Sequence, residues 1–297
     1  MGLTVKAYRI DTPAKLNLLL KVTGKRPDGY HDLLSVMVPI DLCDRLELSA
    51  HEGGRIDMAW QGYEVPVDED NLVYRAARTF FSHTKMRGGV SIRVRKNIPV
   101  AAGMGGGSSD AAATLLSLNE MWGRPMKARE LDIVAKGLGA DVPFFLRSAP
   151  CLASGIGEIL EPLQGLPKTW YVVVAPPLRI STAWVFGNLK LELTTGQDPY
   201  IKNLIKSKPA DLFKILENDL ERVTSTSYPI IDTIKRRLLE AGAEGALMTG
   251  SGPGIFGVFP SLESALSAKE NIISQDLGDV FLTTLWQRPQ DSRIYLE

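Results

Sequence analysis

Apolar and polar positions alternate along the chain at Val90, Ile92 and Val94 against Ser91, Arg93 and Arg95. That period of two predicts a strand with one buried face. Pro99 closes it. Gly103, Gly105, Gly106 and Gly107 then strip β-carbons from one bend, which permits positive φ angles and lets backbone N–H groups approach a ligand. Ser108, Ser109 and Asp110 supply N-cap chemistry for a helix carrying Ala111, Ala112, Ala113, Leu115, Leu116 and Leu118. Leu72, Ala76, Phe80 and Phe81 have helical spacing behind Asn71, which suffices as a plain N-cap. Leu131, Val134, Ala135 and Leu138 mark another helical face, with Gly139 placed as its stop.

Residues 8–21 read as a buried strand interrupted by Pro13, with Lys15 and Asn17 on one face. Residues 36–48 read as strand, turn and strand through 41–44, and 51–62 as hairpin-like segments. After Pro150 strands return, including the short apolar run WYVVVA. A helix start follows at Ser181 and Thr182, then helices over 211–224 and 230–241. Residues 245–259 read as strand, glycine turn and strand, followed by a helix over 262–274 and a strand over 280–285. This β-α-α-β-β-α-β alternation resembles a ferredoxin-like unit. It places a domain change near residues 166 and 167, giving domains 1–166 and 167–297.

A glycine bend ahead of a helix N-terminus is an anion site. The loop matches neither common phosphate fingerprint. No lysine follows the last glycine, as a P-loop requires, and position 108 is serine where a dinucleotide fingerprint requires glycine. Three consecutive glycines and two serines exceed what a tight turn needs, although a purely structural turn is the alternative. Four further positions carry two readings each. Lys15, flanked by Ala14, Leu16, Leu18, Leu19 and Leu20, is a solvated charge or a buried cation that needs a partner. Tyr30 and His31, just past the turn at 27–29, stack on and hydrogen-bond a ring, or pack against the core. Asp141, between a helix end and Pro143, is an N-cap or a carboxylate base aimed at the glycine loop. Phe186 follows one helical turn past Ser181, as a core aromatic would.

Composition narrows the function classes. The 297 residues are 44% hydrophobic, enough for two domains with their own cores. Lys plus Arg equals Asp plus Glu at 34 each, so no global field draws nucleic acid or an anionic membrane. Cys43 and Cys151 lie far apart in apolar surroundings, which argues against a disulfide, and the three histidines show no zinc-ligand spacing. The opening residues carry no secretory signal, and Lys6 stands where a myristoylation motif requires Ser or Thr. The longest apolar run, 170–178, is far short of the roughly 20 residues of a membrane span. A cytoplasmic protein, monomeric or homodimeric, is expected.

The motifs AKLNL at 14–18, GYHDL at 29–33, DNLVYRAA at 70–77, AGMGGGSSDAA at 102–112, GADVPFF at 139–145 and MTGSGPGIFGVF at 248–259 together resemble the GHMP kinase superfamily over nearly the whole chain. GYHDL with GGGSSDAA and DVPFF points to the branch whose acceptor is a cytidyl diphosphate sugar alcohol. The resemblance implies an α+β, two-domain kinase with a ribosomal-S5-like N-terminal domain, a ferredoxin-like C-terminal domain and a cleft between them. It implies ATP and Mg2+ as cofactors and a small-molecule acceptor phosphorylated on a hydroxyl, with no nucleic acid or membrane partner. Asp141 would be the general base, with Lys15 holding that carboxylate and the hydroxyl. Pro99, Ala102, Gly103, Met104, Gly105, Gly106, Gly107, Ser108 and Ser109 would cradle the triphosphate, while Lys96 and Asn71 would line the adenosine pocket. Tyr30 and Phe186 would sandwich the cytosine, His31 would bond its polar edge, and Asn17 would contact the sugar alcohol. No protein side chain stands out as a metal ligand. Three positions depart from the family: Met104 replaces the commonest leucine, Ala140 a frequent serine, and Ile156 a frequent arginine. Kinases of the same superfamily with other acceptors, and a non-catalytic nucleotide-binding regulator, are the rival readings.

Overall fold

A computed structural model describes residues 7–189, 205, 213, 215–287 and the backbone of 294–295. Two long strands, β1 (Ala7–Lys25) and β2 (His31–His51), form an antiparallel pair at the centre of the first sheet. β3 (Ile56–Gly62) and β4 (Gly89–Lys96) extend it, and β12 (Ile294–Tyr295) closes the other edge, giving the order β12-β1-β2-β4-β3. β5 (Cys151–Gly155) pairs with the first part of β2 and with β6 (Ile159–Pro162), while β8 (Glu217–Asn218) runs parallel to β1.

Four helices belong to this part of the chain: α1 (Leu72–Thr84), α2 (Gly106–Met121), α3 (Ala128–Leu138) and α4 (Val142–Arg147). Their buried faces, including Phe80, Leu115, Leu118 and Phe144, share one core with Leu46, Leu48, Ile92 and Val94. Asn71 caps α1, its side-chain oxygen accepting the Val73 N–H at 2.8 Å. Such a cap contributes about 1 kcal/mol.

The second sheet contains β7 (Trp170–Ala175), β9 (Gly245–Met248), β10 (Ile255–Phe259) and β11 (Asp279–Thr284) in the order β11-β7-β10-β9, all antiparallel. That is the ferredoxin-like order, with the fourth strand beside the first and the third beside the second. α5 (Thr182–Gly187), α6 (Asp219–Ser227), α7 (Ile230–Glu240) and α8 (Leu262–Ile273) complete the described helices here. Val172, Val174, Ile231, Ile234, Leu238 and Ile272 are buried together in one core. Another core joins the two sheets: Leu16, Leu18, Val36 and Val38 meet Val173, Phe256 and Val258. No helix among the described residues is long and apolar enough to cross a membrane.

Several elements differ from the reading of the sequence. β2 is continuous through 41–44. Pairing shifts from Pro13↔Cys43 to Ala14↔Ile40, which leaves Asp41 and Leu42 as a bulge instead of a turn. β3 is no hairpin arm; it lies parallel to β4, a geometry that needs a crossover, and the crossover contains α1. α2 begins at Gly106, before the serines, with left-handed Gly105 as its N-cap. Gly139 does stop α3, but in an extended conformation with φ 172°. Of the helix expected over 211–224, the described part begins at Asp219, and positions 211, 212 and 214 lie outside the described residues.

Candidate active site

The glycine bend is bound on two sides. Gly103 and Gly105 have φ of +75° and +71°, whereas Gly106 and Gly107 already belong to the first turn of α2. A β-carbon on Gly103 would lie 2.2 Å from the Thr249 carbonyl oxygen, and the Gly254 N–H donates to the Ala102 carbonyl at 3.1 Å. The loop at 249–254 therefore rests directly on the glycine bend. On the other side, a β-carbon on Gly105 would meet the Phe145 ring at 2.9 Å and the Lys15 stem at 3.3 Å. The first intrahelical bond of α2 runs from Ser109 N–H to the Gly105 carbonyl at 2.9 Å. The N–H groups of Gly106, Gly107 and Ser108 have no carbonyl one turn earlier to meet, and no side chain caps this helix. An open first turn of this kind suits an anion.

Beneath the bend lies a buried ionic triad. Lys96, 4% exposed, pairs with Asp44 and with Asp110, the latter at 2.8 Å. Asp110 also accepts from the Thr12 hydroxyl at 2.6 Å, and Asp44 accepts the backbone N–H groups of Asn97 and Ile98 at 2.6 and 2.8 Å. Burial, then the neighbouring Asp110, pushes Asp44 up to about 6. The Lys96 ammonium would be 3.2 Å from a β-carbon on Gly106, so the triad fixes the floor on which the bend lies.

Lys15 and Asp141 meet where β1 passes this bend. The Lys15 N–H donates to the Met104 carbonyl at 2.9 Å, which ties the strand to the loop. Its ammonium donates to Asn17 Oδ1 at 2.5 Å and stands 4.0 Å from Asp141 Oδ2. Asn17 is held in turn. Its amide donates to Ser35 Oγ at 2.8 Å, and its backbone N–H donates to Thr249 Oγ1 at 3.1 Å. Burial lowers the Lys15 pKa, and the Asp141 charge pulls it partly back. Asp141 occupies the N-cap position of α4 but makes no capping bond, because its backbone is helical there. Its carboxylate is left to face the cleft.

A cavity of about 900 Å³ opens at this point. Lys15, Asn17, Gly103, Gly105, Ser108 and Asp141 line one part, and Tyr30, His31 and Phe186 another. The His31 and Phe186 rings stack at 5.1 Å between centroids and 24° between planes. Burial, then the charge of Lys25, lowers the His31 pKa and favours the neutral ring at pH 7. Tyr30 is 60% exposed at the rim. Thr182 and Ser251 share a hydroxyl hydrogen bond of 2.8 Å across the wall between α5 and the 249–254 loop.

Sequence profiles of the GHMP kinases N terminal domain and of the GHMP kinases C terminal match residues 71–149 and 200–276. The 4-diphosphocytidyl-2-C-methyl-D-erythritol kinase of Syntrophotalea carbinolica is 45% identical over 263 residues, which cover 89% of this chain and 93% of that protein. The chain belongs to the GHMP kinases, in the 4-diphosphocytidyl-2-C-methyl-D-erythritol kinase family. A crystal structure of 4-(cytidine 5'-diphospho)-2C-methyl-D-erythritol kinase superposes with a TM-score of 0.79 at 35% identity, covering 94% of this chain and 99% of that one. The homoserine kinase of Cytophaga hutchinsonii, 18% identical with a TM-score of 0.75 and 96% of each chain covered, shares the fold. Since the fold is common to kinases named for different acceptors, the acceptor must be argued from the cavity.

In this GHMP kinase the cavity gathers Lys15, Asn17, Tyr30, His31, Gly103, Gly105, Ser108, Asp141 and Phe186. Pro99, Ala102, Met104 and Ser109 are buried behind it, and Gly106 and Gly107 continue the bend into α2. Two expected nucleotide contacts are engaged elsewhere. Lys96 turns its ammonium to Asp44 and Asp110, and Asn71 caps α1 while its amide donates to the Pro66 carbonyl at 2.6 Å. Phe186 has His31 as its stacking partner. Reading the sequence missed Asp44 and Asp110 as supports of the bend and Ser35 and Thr249 as supports of Asn17. Asp44 looked like a turn residue, and the 249–254 segment like a plain hairpin turn. The partners of both are distant in sequence.

Proposed function

We propose that this GHMP kinase transfers the γ-phosphoryl group of ATP to the 2-hydroxyl of 4-diphosphocytidyl-2-C-methyl-D-erythritol, a step of non-mevalonate isoprenoid synthesis. The observation that carries the reading is one cavity holding the Lys15–Asp141 pair, the open first turn of α2 and the His31–Phe186 stack. A tertiary alcohol is a weak nucleophile. Asp141 takes its proton as the new phosphorus–oxygen bond forms, and the proton ends on that carboxylate. Lys15 holds the carboxylate and the hydroxyl in place, itself steered by Asn17. Neutral His31 has one ring nitrogen to donate and one to accept, which suits the polar edge of cytosine. Phe186 and Tyr30 supply aromatic surface around it.

The N–H groups of Gly106, Gly107 and Ser108 would receive the triphosphate of ATP. No cluster of three or more His, Cys, Asp or Glu side chains among the described residues is arranged to hold a metal. Magnesium would sit among nucleotide phosphates and water with the Ser108 hydroxyl in reach, where it would supply charge neutralisation. The domain change is taken at 166 and 167, where the chain leaves the first sheet for the second. ADP release assayed with the cytidyl acceptor beside mevalonate and homoserine tests the assignment. Release with the cytidyl acceptor alone is expected, and release with either of the others instead would overturn it.

A further inference from the structure

The acceptor assigned above has its base at one end, its reacting hydroxyl at the other and a diphosphate between them. Its two negative charges need a cation inside the cavity. The charged residues lining it, among the described residues, are Lys15, Lys25 and Asp141. Lys15 is committed to Asn17 and Asp141. Neighbouring cations are engaged elsewhere. Arg26 is paired with Asp28 and Asp32 at 3.0 and 3.4 Å, and Lys21 with Glu217 and Asp219. The 155–158 turn brings apolar Ile156 to the wall, while its Glu158 accepts from Lys136 and from the Ile156 N–H.

Lys25 makes no ion pair or side-chain hydrogen bond among the described residues. It is the direct cross-strand partner of His31 in the β1–β2 pair. Such partners project from the same face with their β-carbons about 5 Å apart. A flexible ammonium stem thus starts beside the ring read as the base contact and lines the same cavity as the reacting groups. Its charge is felt at His31, whose pKa it helps to lower.

We propose that Lys25 receives the diphosphate of the acceptor and makes the site select a nucleoside diphosphate over a bare nucleoside. This rests on the cytidyl reading of the cavity. At an exposed position a lysine–phosphate contact adds affinity through charge-assisted hydrogen bonds that salt weakens.

The test is calorimetric binding of CDP and of cytidine to the full chain, for the wild type and for Lys25→Gln and Lys25→Arg. Lys25→Gln is expected to weaken CDP by roughly tenfold and leave cytidine unchanged, because one charge-assisted contact is lost. Lys25→Arg keeps the charge and should stay within about threefold of the wild type for CDP. Added salt should erode the preference for CDP in the wild type and much less in Lys25→Gln. Unchanged CDP affinity in Lys25→Gln, or an equal loss of CDP and cytidine, would overturn the role of Lys25 and leave the cytidyl reading standing. A wild type that binds neither ligand would overturn the cytidyl reading itself, and the Lys25 role with it.

Discussion

The Lys15 side chain is 4% exposed and the Asp141 side chain facing it 38%, across a separation of 4.0 Å. The cation is sealed behind the carboxylate, and the carboxylate is open to the cavity. That order suits the proposed roles, in which the lysine orients and the aspartate reacts. Solvent screens the pair on the aspartate side alone.

This asymmetry has two pH consequences of opposite sign. Burial holds Lys15 below its usual 10.5, and the proposed mechanism requires its charge, so turnover should fall as pH rises through that lowered value. Stability moves the other way. The unfolded chain keeps this proton up to 10.5 and the folded chain releases it earlier, so between the two values the Lys15 contribution to stability rises with pH. Lys15→Met should lower kcat by ~10²-fold and remove both dependences. Rate profiles and urea midpoints from about pH 7 to 10 check this; an identical alkaline limb in the variant would contradict it.

Lys96 should matter through the fold. Lys96→Met leaves Asp44 and Asp110 buried without their cation, a change that costs about 3 kcal/mol or more. Asp44 already has its folded pKa raised to about 6, so the stability it contributes falls as pH rises through the range from 3.8 to about 6. Without the lysine that fall should steepen. Urea unfolding at about pH 5 and pH 8 should show the larger deficit at the higher pH; equal deficits would remove the ionic account.

Gly103 and Gly107 should respond differently to the same substitution. Gly103→Ala forces a side chain into φ +75° and against the Thr249 carbonyl, and it should cost at least about 1–2 kcal/mol and loosen the 249–254 loop. At Gly107 a β-carbon meets only a Leu72 methyl group at 3.7 Å, so Gly107→Ala should fold normally. Thermal melts of the pair distinguish a steric requirement from a general need for glycine.

Phe186→Ala removes the partner of the His31 ring. Aromatic stacking on a base contributes ~1–3 kcal/mol, so KM for the cytidyl acceptor should rise at least about fivefold while KM for ATP stays put. A change confined to ATP would place Phe186 in the wrong half of the site.

Local patterns carried much of this molecule. The alternation at Val90, Ile92 and Val94 and the face at Leu131, Val134, Ala135 and Leu138 appear as read, and the β-α-α-β-β-α-β order holds in outline, with α5 and the short β8 added between β7 and β9. Apolar neighbours around Lys15 leave a solvated charge and a buried cation equally open, and the residue is buried beside Asp141. Asp41 and Asp44 misled because acids at a register shift resemble a turn. Asp41 instead accepts from Thr283 and Thr284, and Asp44 from Lys96, Asn97 and Ile98. Those donors are 52 to 243 positions away, and no window along the chain contains them. The contact of Phe186 with His31 is equally invisible, since it depends on how a short helix beyond β7 sits over the end of β2.

The most direct test of the central claim is single-turnover phosphoryl transfer by Asp141→Asn, with both ligands titrated by calorimetry. Asparagine keeps the shape and loses the base, so transfer should slow by ~10²-fold or more while the affinities for ATP and the cytidyl acceptor stay near those of the wild type. Transfer at the wild-type rate would contradict the assignment of Asp141 as the base.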